Sequence, residues 1–174
     1  MAGETKQSMA PVGASEARLL ILGSLPGDAS LAAQRYYAHP TNQFWRLLGG
    51  AIDESLVSLD YPARLDQLAA RGIALWDVVA VASRAGSLDG AIRSARANPL
   101  VEFVTTHPRL QAIAFNGRTA AVIGRRALGA VEGIALIDLP SSSAAFTRSF
   151  DQKLRAWSAL GGFAGSSISA KVRR

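Results

Sequence analysis

The chain has 174 residues, 49% hydrophobic and 18% charged, which suits one globular domain with a sizeable core and excludes a disordered chain. It has no cysteine, so disulfides, thiolate zinc sites, iron–sulfur clusters and a cysteine nucleophile are ruled out. A net charge of +6 fits a polyanionic partner or a solvated basic surface.

Residues 1–15 are small and polar and read as a flexible N-terminal segment ahead of a single domain over 16–161. The apolar run Arg18–Leu22 reads as a buried strand and ends in the turn Gly23-Ser24-Leu25-Pro26-Gly27-Asp28. Between Tyr36 and Trp45 two tyrosines, a histidine, an asparagine, a phenylalanine and a tryptophan crowd together. That cluster is too aromatic for a solvated loop and too polar for plain core. It suits a pocket for a flat, hydrogen-bonding ligand such as a nucleobase. Thr41 caps a helix running to about Ile52. A second strand, Ile73–Val78, carries Asp77 near its end, and Ser87-Leu88-Asp89 reads as the start of another helix. Asn98-Pro99 opens a helix through about Thr106, which His107-Pro108 ends. The third strand, Leu110–Phe115, runs into Asn116-Gly117-Arg118 and an alanine-rich helix, Thr119–Leu128. The fourth, Ile134–Leu139, runs into Pro140-Ser141-Ser142-Ser143. Phe150, Leu154, Trp157 and Leu160 recur at helical spacing within Arg148–Leu160, and residues 162–174 form a basic tail.

Strands alternating with helices imply a three-layer α/β/α domain around a central, mostly parallel four-stranded sheet. Such a sheet gathers its strand-end loops on one edge, where open α/β sheets bind ligands. No apolar run approaches the roughly 20 residues that span a bilayer, and no signal-peptide apolar region is evident. The expectation is a soluble, cytoplasmic, monomeric protein with no membrane partner. Two histidines and no cysteine give no basis for a metal or other cofactor.

Residues at the strand ends carry two readings each. Asn42 either caps a helix or presents an amide to a ligand. Asn116 is either the left-handed residue of an Asn-Gly turn or a pocket amide. Tyr37 is either core or a stacking platform, and Phe44 is shared between pocket wall and core. Asp77 is either a capping or salt-bridged aspartate, or a carboxylate that accepts from N–H groups on a base edge. Asp28 either caps the next helix or serves as a general base, being the one carboxylate of the first loop.

Taken together, these segments resemble the uracil-DNA glycosylase superfamily over about Leu19–Leu160. Tyr37-Ala38-His39-Pro40-Thr41-Asn42-Gln43-Phe44-Trp45 is similar to the mismatch-specific uracil/thymine branch. The hypoxanthine-DNA glycosylase branch is more similar still. It shares Gly-Ser-Leu-Pro, Tyr-Tyr, Asn-x-Phe-Trp, Ala74-Leu75-Trp76-Asp77-Val78, Gly86-Ser87-Leu88-Asp89, Phe115-Asn116-Gly117 and Leu139-Pro140-Ser141. The resemblance implies a monofunctional enzyme that excises deaminated bases (uracil, hypoxanthine, xanthine) from DNA in base excision repair. Two groups usual in the superfamily are replaced, by Leu25 in the first loop and Leu139 in the last. The resemblance implies that Asn42 and Asn116 take over catalysis. It also implies a base pocket of Ser24, Leu25, Pro26, Tyr37, Phe44 and Asp77, with Tyr37 stacked on the flipped base. Gly117, Arg118, Ser141, Ser142 and Ser143 would hold DNA phosphates, and Phe146 would wedge the duplex. The competing expectation is a damaged-DNA-binding module that has lost catalysis. No lysine lies in the four loops, which argues against a Schiff-base lyase.

Overall fold

A computed structural model describes residues 3–166. Its strands are β1 (Glu4–Gln7), β2 (Val12–Gly13), β3 (Leu19–Gly23), β4 (Ile73–Asp77), β5 (Val79–Arg84), β6 (Arg93–Ala97), β7 (Ala112–Asn116) and β8 (Ala135–Leu139). Its helices are α1 (Asp28–Ala33), α2 (Phe44–Ile52), α3 (Tyr61–Ala70), α4 (Leu100–Thr106), α5 (Arg118–Leu128) and α6 (Phe150–Trp157).

The four apolar runs form the parallel strands of the central sheet, in order β2-β4-β3-β7-β8 with only β2 antiparallel. β3, β4 and β7 are buried along their whole length, which is why they read as unbroken apolar runs. Successive side chains point to opposite faces. Leu20 and Leu22 of β3 join Ile113 and Phe115 of β7 in a core under α4 and α5. Leu19 and Ile21 join Ala112 and Ala114 in a second core under α2, α3 and α6. Two cores on two faces make the three layers.

The expected four-stranded sheet gains a fifth strand, β2, and two further expectations are corrected. Residues 1–15 are not empty of structure: β1 pairs antiparallel with β5, and β2 pairs with β4. Polar Glu4–Gln7 has no apolar period to betray a strand, because its hydrogen bonds to β5 define it. Ser87-Leu88-Asp89 does not open a long helix. A single 3-10 turn at Asp89–Ala91 leads into β6, completing a second sheet of order β1-β5-β6. Helix α3 is an addition, capped by the Asp60 carboxylate on the Ala63 N–H with Pro62 in its first turn. The tail expected over 162–174 lies, for residues 167–174, outside the described residues. Among the described residues no helix is long and apolar enough to cross a membrane.

Candidate active site

The carboxyl ends of β3, β4 and β7 and the loop after β8 open into one cavity of about 510 Å³, a volume usual for a small-ligand site. Ser24, Leu25 and Pro26 form one wall. Their backbone is held by Arg84 of β5, which is 1% exposed and donates to the carbonyl oxygens of Leu25, Pro26 and Gly86. A buried guanidinium needs such partners, and here they fix the loop. Gly23 leaves no room for a side chain: a Cβ there would lie 2.6 Å from Asp77 Oδ1 and 3.0 Å from the Tyr37 hydroxyl.

Tyr37 sits in left-handed backbone at φ 54°, a strained setting for an aromatic residue. One face of its ring stacks on Phe44, at 3.7 Å between centroids and 5° between planes. Phe44 is fully buried and lies behind Tyr37, off the cavity wall. Tyr37 is therefore a braced platform, and Phe44 is its support rather than a pocket residue.

The two asparagines differ in how they are used. Asn116 is saturated: its Oδ1 accepts from the Ser142 N–H at 2.9 Å, and its Nδ2 donates to Ser142 Oγ at 2.8 Å and to the Tyr37 hydroxyl at 3.2 Å. Asn42 spends only its oxygen. Oδ1 accepts from the Phe44 N–H at 2.9 Å and from Ser142 Oγ at 2.8 Å. Its Nδ2 has no protein partner among the described residues, and the residue lines the cavity. The expected cap Thr41 bonds His39 Nδ1 instead; Asn42, one residue ahead of the Gln43 cap position, takes the first helical N–H with Oδ1 and leaves both amide hydrogens for a ligand.

Ser142 is the hub between them. It is 1% exposed and its hydroxyl is spent inside, so it is not available to a phosphate. Ser141 and Ser143 cap turns of the same loop, accepting from the Ser143 and Ala145 N–H groups. Beneath the loop, Lys153 of α6 is 1% exposed and donates to Gln43 Oε1 and the Ser143 carbonyl, each at 3.0 Å. Burial pulls its pKa down. Phe146 stands 40% exposed at the rim, with Arg148 and Lys153 5.5 Å from its ring. Gly117, at φ 97°, packs against Ser141 and does not line the cavity, and Arg118 is exposed beside it.

Three aspartates line the cavity in different states. Asp28 is ion-paired with Lys6, which holds its carboxyl below the usual range. That makes it a weak base, and its backbone rather than its side chain starts α1. Asp77 is 3% exposed, and its Oδ2 is buried with no partner. Burial pushes its carboxyl up to about 7, with the nearby Asp89 adding to the rise and Arg84 opposing it. Below about pH 7 Asp77 is therefore largely the neutral acid, with one O–H donor and one acceptor. Asp89 accepts from Ser24 Oγ at 2.6 Å. Its pKa is raised by burial, against the Ser24 bond and Arg84. Asp89, Arg84, Lys6 and Lys153 are the polar site residues that sequence reasoning missed. The Gly86–Asp89 motif was the available signal for Asp89, hidden by its reading as a helix start.

A parallel sheet whose strand ends enclose amides, a braced tyrosine and aspartates defines an α/β/α protein with one polar cavity of small-ligand size. Residues 10–161 match the family model of the uracil DNA glycosylase superfamily, so the chain belongs to that superfamily and is a DNA N-glycosylase. It is 39% identical over 154 residues to a hypoxanthine DNA glycosylase of Methanosarcina barkeri, covering 87% of this chain and 95% of the relative. A second hypoxanthine DNA glycosylase, from Methanosarcina acetivorans, is 40% identical over 142 residues, covering 82% of this chain and 89% of the relative. A solution NMR structure of a candidate uracil DNA glycosylase from Methanosarcina acetivorans superposes with a TM-score of 0.80 at 37% identity, covering 91% of this chain and 97% of that one.

Proposed function

We propose that this chain is a monofunctional, monomeric glycosylase that excises hypoxanthine, uracil and xanthine from DNA in base excision repair. The observation that carries the reading is that the free Asn42 amide and the braced Tyr37 ring line the same cavity at the strand ends. A flipped base stacks on the open face of Tyr37, a contact worth about 1–3 kcal/mol that offsets part of the unstacking cost. The Asn42 amide donates to the base as negative charge develops on it, and the sugar departs as a cation. The Asn116–Ser142 clamp keeps Asn42 and Tyr37 in place, so Asn116 acts on catalysis through their positions. Ser141, Ser143, Gly117 and Arg118 meet the phosphates and Phe146 enters the duplex. Arg148 beside Phe146 adds a further cation at that edge.

The test is single-turnover release of free base from duplexes carrying hypoxanthine, uracil or xanthine, with alkali to cut the abasic strand. Excision is expected in EDTA. Intact strands with every lesion, despite binding, would instead mark a damage-sensing module. Binding should also weaken steeply with salt, because a protein of net charge +6 displaces counterions from DNA. A flat plot of log affinity against log salt would contradict the phosphate contacts.

A further inference from the structure

Glycosidic hydrolysis needs a group to take a proton from the attacking water. The cavity offers three carboxylates, and their surroundings rank them. Asp28 is tied to Lys6. Asp77 is sealed at the bottom, with Oδ2 out of reach of solvent. Asp89 is only partly buried, and the Ser24 hydroxyl grips one of its oxygens at 2.6 Å. The bonds among described residues leave Asp89 Oδ2 unengaged. The first loop itself presents Leu25, which binds no water, at the corresponding wall.

We propose that Asp89 is a catalytic residue of this site, its carboxylate accepting the proton of the water that attacks the anomeric carbon. The inference rests on the glycosylase reading above. In the step, the C1′–N bond breaks first and the water oxygen then bonds to the cationic C1′. The bonding pair leaves with the base, which is then protonated from solvent. The water proton passes to Asp89 and on to solvent, leaving a C1′ hydroxyl on the abasic sugar. The charged and titratable groups facing Asp89 are Tyr37 after α1, Asp77 at the end of β4 and Arg84 in β5, with the Ser24 hydroxyl bonded to it from the first loop. Burial raises the Asp89 pKa, and the Ser24 hydrogen bond and the Arg84 charge oppose that rise. Asp77 and Asp89 thus differ by environment, one sealed and without a partner for Oδ2, the other partly exposed and gripped by Ser24.

Asp89→Asn should lower single-turnover release from a hypoxanthine duplex by about 10²- to 10⁴-fold, the usual range for a lost general base. Two pH signatures should accompany the loss. The fall in rate toward acid should vanish, because no carboxylate remains there to protonate. The pH at which Asp77 ionises should drop, because the Asp89 charge that raises it is gone. Ser24→Ala should cost less and move the acid limb to higher pH, since its hydrogen bond lowers the Asp89 pKa. Asp66→Asn, on the exposed side of α3, should match the wild type. Should Asp89→Asn fail to fold, the Ser24→Ala shift decides. Wild-type excision with Asp89→Asn within about threefold of it, or a loss that leaves the acid limb in place, would overturn the role. A wild type inert on all three lesions would overturn the glycosylase reading, and this role with it.

Discussion

Asn42→Ala is expected to lower single-turnover excision by about 10²-fold or more, the scale of losing one positioned donor to a developing anion. Stability should fall by only about 1 kcal/mol, as for a lost helix cap, because what goes from the fold is the bond to the Phe44 N–H and one to Ser142. Asn42→Asp separates the two functions of the side chain. It keeps an oxygen for Phe44 and Ser142 but removes both amide hydrogens. If donation to the departing base is the Asn42 role, Asn42→Asp will be as slow as Asn42→Ala while melting like the wild type. Recovery of activity in Asn42→Asp would assign Asn42 to water activation instead. Asn116→Ala should behave differently. It strips partners from buried Ser142 and from the Tyr37 hydroxyl at once. An unpaired buried polar group costs about 1–3 kcal/mol, so the rate and the melting temperature should fall together.

Much of this site is legible in the sequence, and the illegible part has a common cause. The parallel strands announce themselves because β3, β4 and β7 are buried on both faces and therefore apolar throughout. Their ends then place Gly23, Asp77 and Asn116 on one edge by topology alone. The Asn42 cap and the Tyr37–Phe44 pair lie within one short segment, so local pattern finds them. Groups supplied by distant chain are hidden. Lys6 reaches Asp28 from an N-terminal strand without apolar period, and Arg84 holds the first loop from an antiparallel side strand. Lys153 looks like the polar face of α6 and is in fact the buried post of the serine loop. Ser142 is the sharpest case. Three serines in a row read as solvated loop, yet the middle one faces inward and joins both asparagines. Residue type and position cannot distinguish which of three successive side chains turns in.

The pH response of stability and of catalysis should converge on Asp77. Its carboxyl titrates at about 7 in the folded protein against a usual value of 3.8. Between those values the native state holds a proton that the unfolded chain has lost. Folding stability contributed by this group is therefore full below about pH 4, falls as pH rises, and levels off above about pH 7. A shift near three units corresponds to a loss on the order of 4 kcal/mol at 1.36 kcal/mol per unit. Asp77→Asn keeps the shape and removes the charge. Its melting temperature should equal that of the wild type below about pH 4 and exceed it increasingly above, most near pH 8, where the wild type must bury an ionised carboxylate. The chemistry should follow the same titration. Neutral Asp77 can offer an O–H to the C=O of a lactam edge, the feature shared by hypoxanthine, uracil and xanthine. Ionised Asp77 can only accept. Wild-type base engagement should therefore weaken above about pH 7, whereas Asp77→Asn, whose amide keeps one donor and one acceptor at every pH, should not. Parallel pH profiles for the two proteins, in melting or in excision, would show that Asp77 is ionised in the fold and reads the base by acceptance alone.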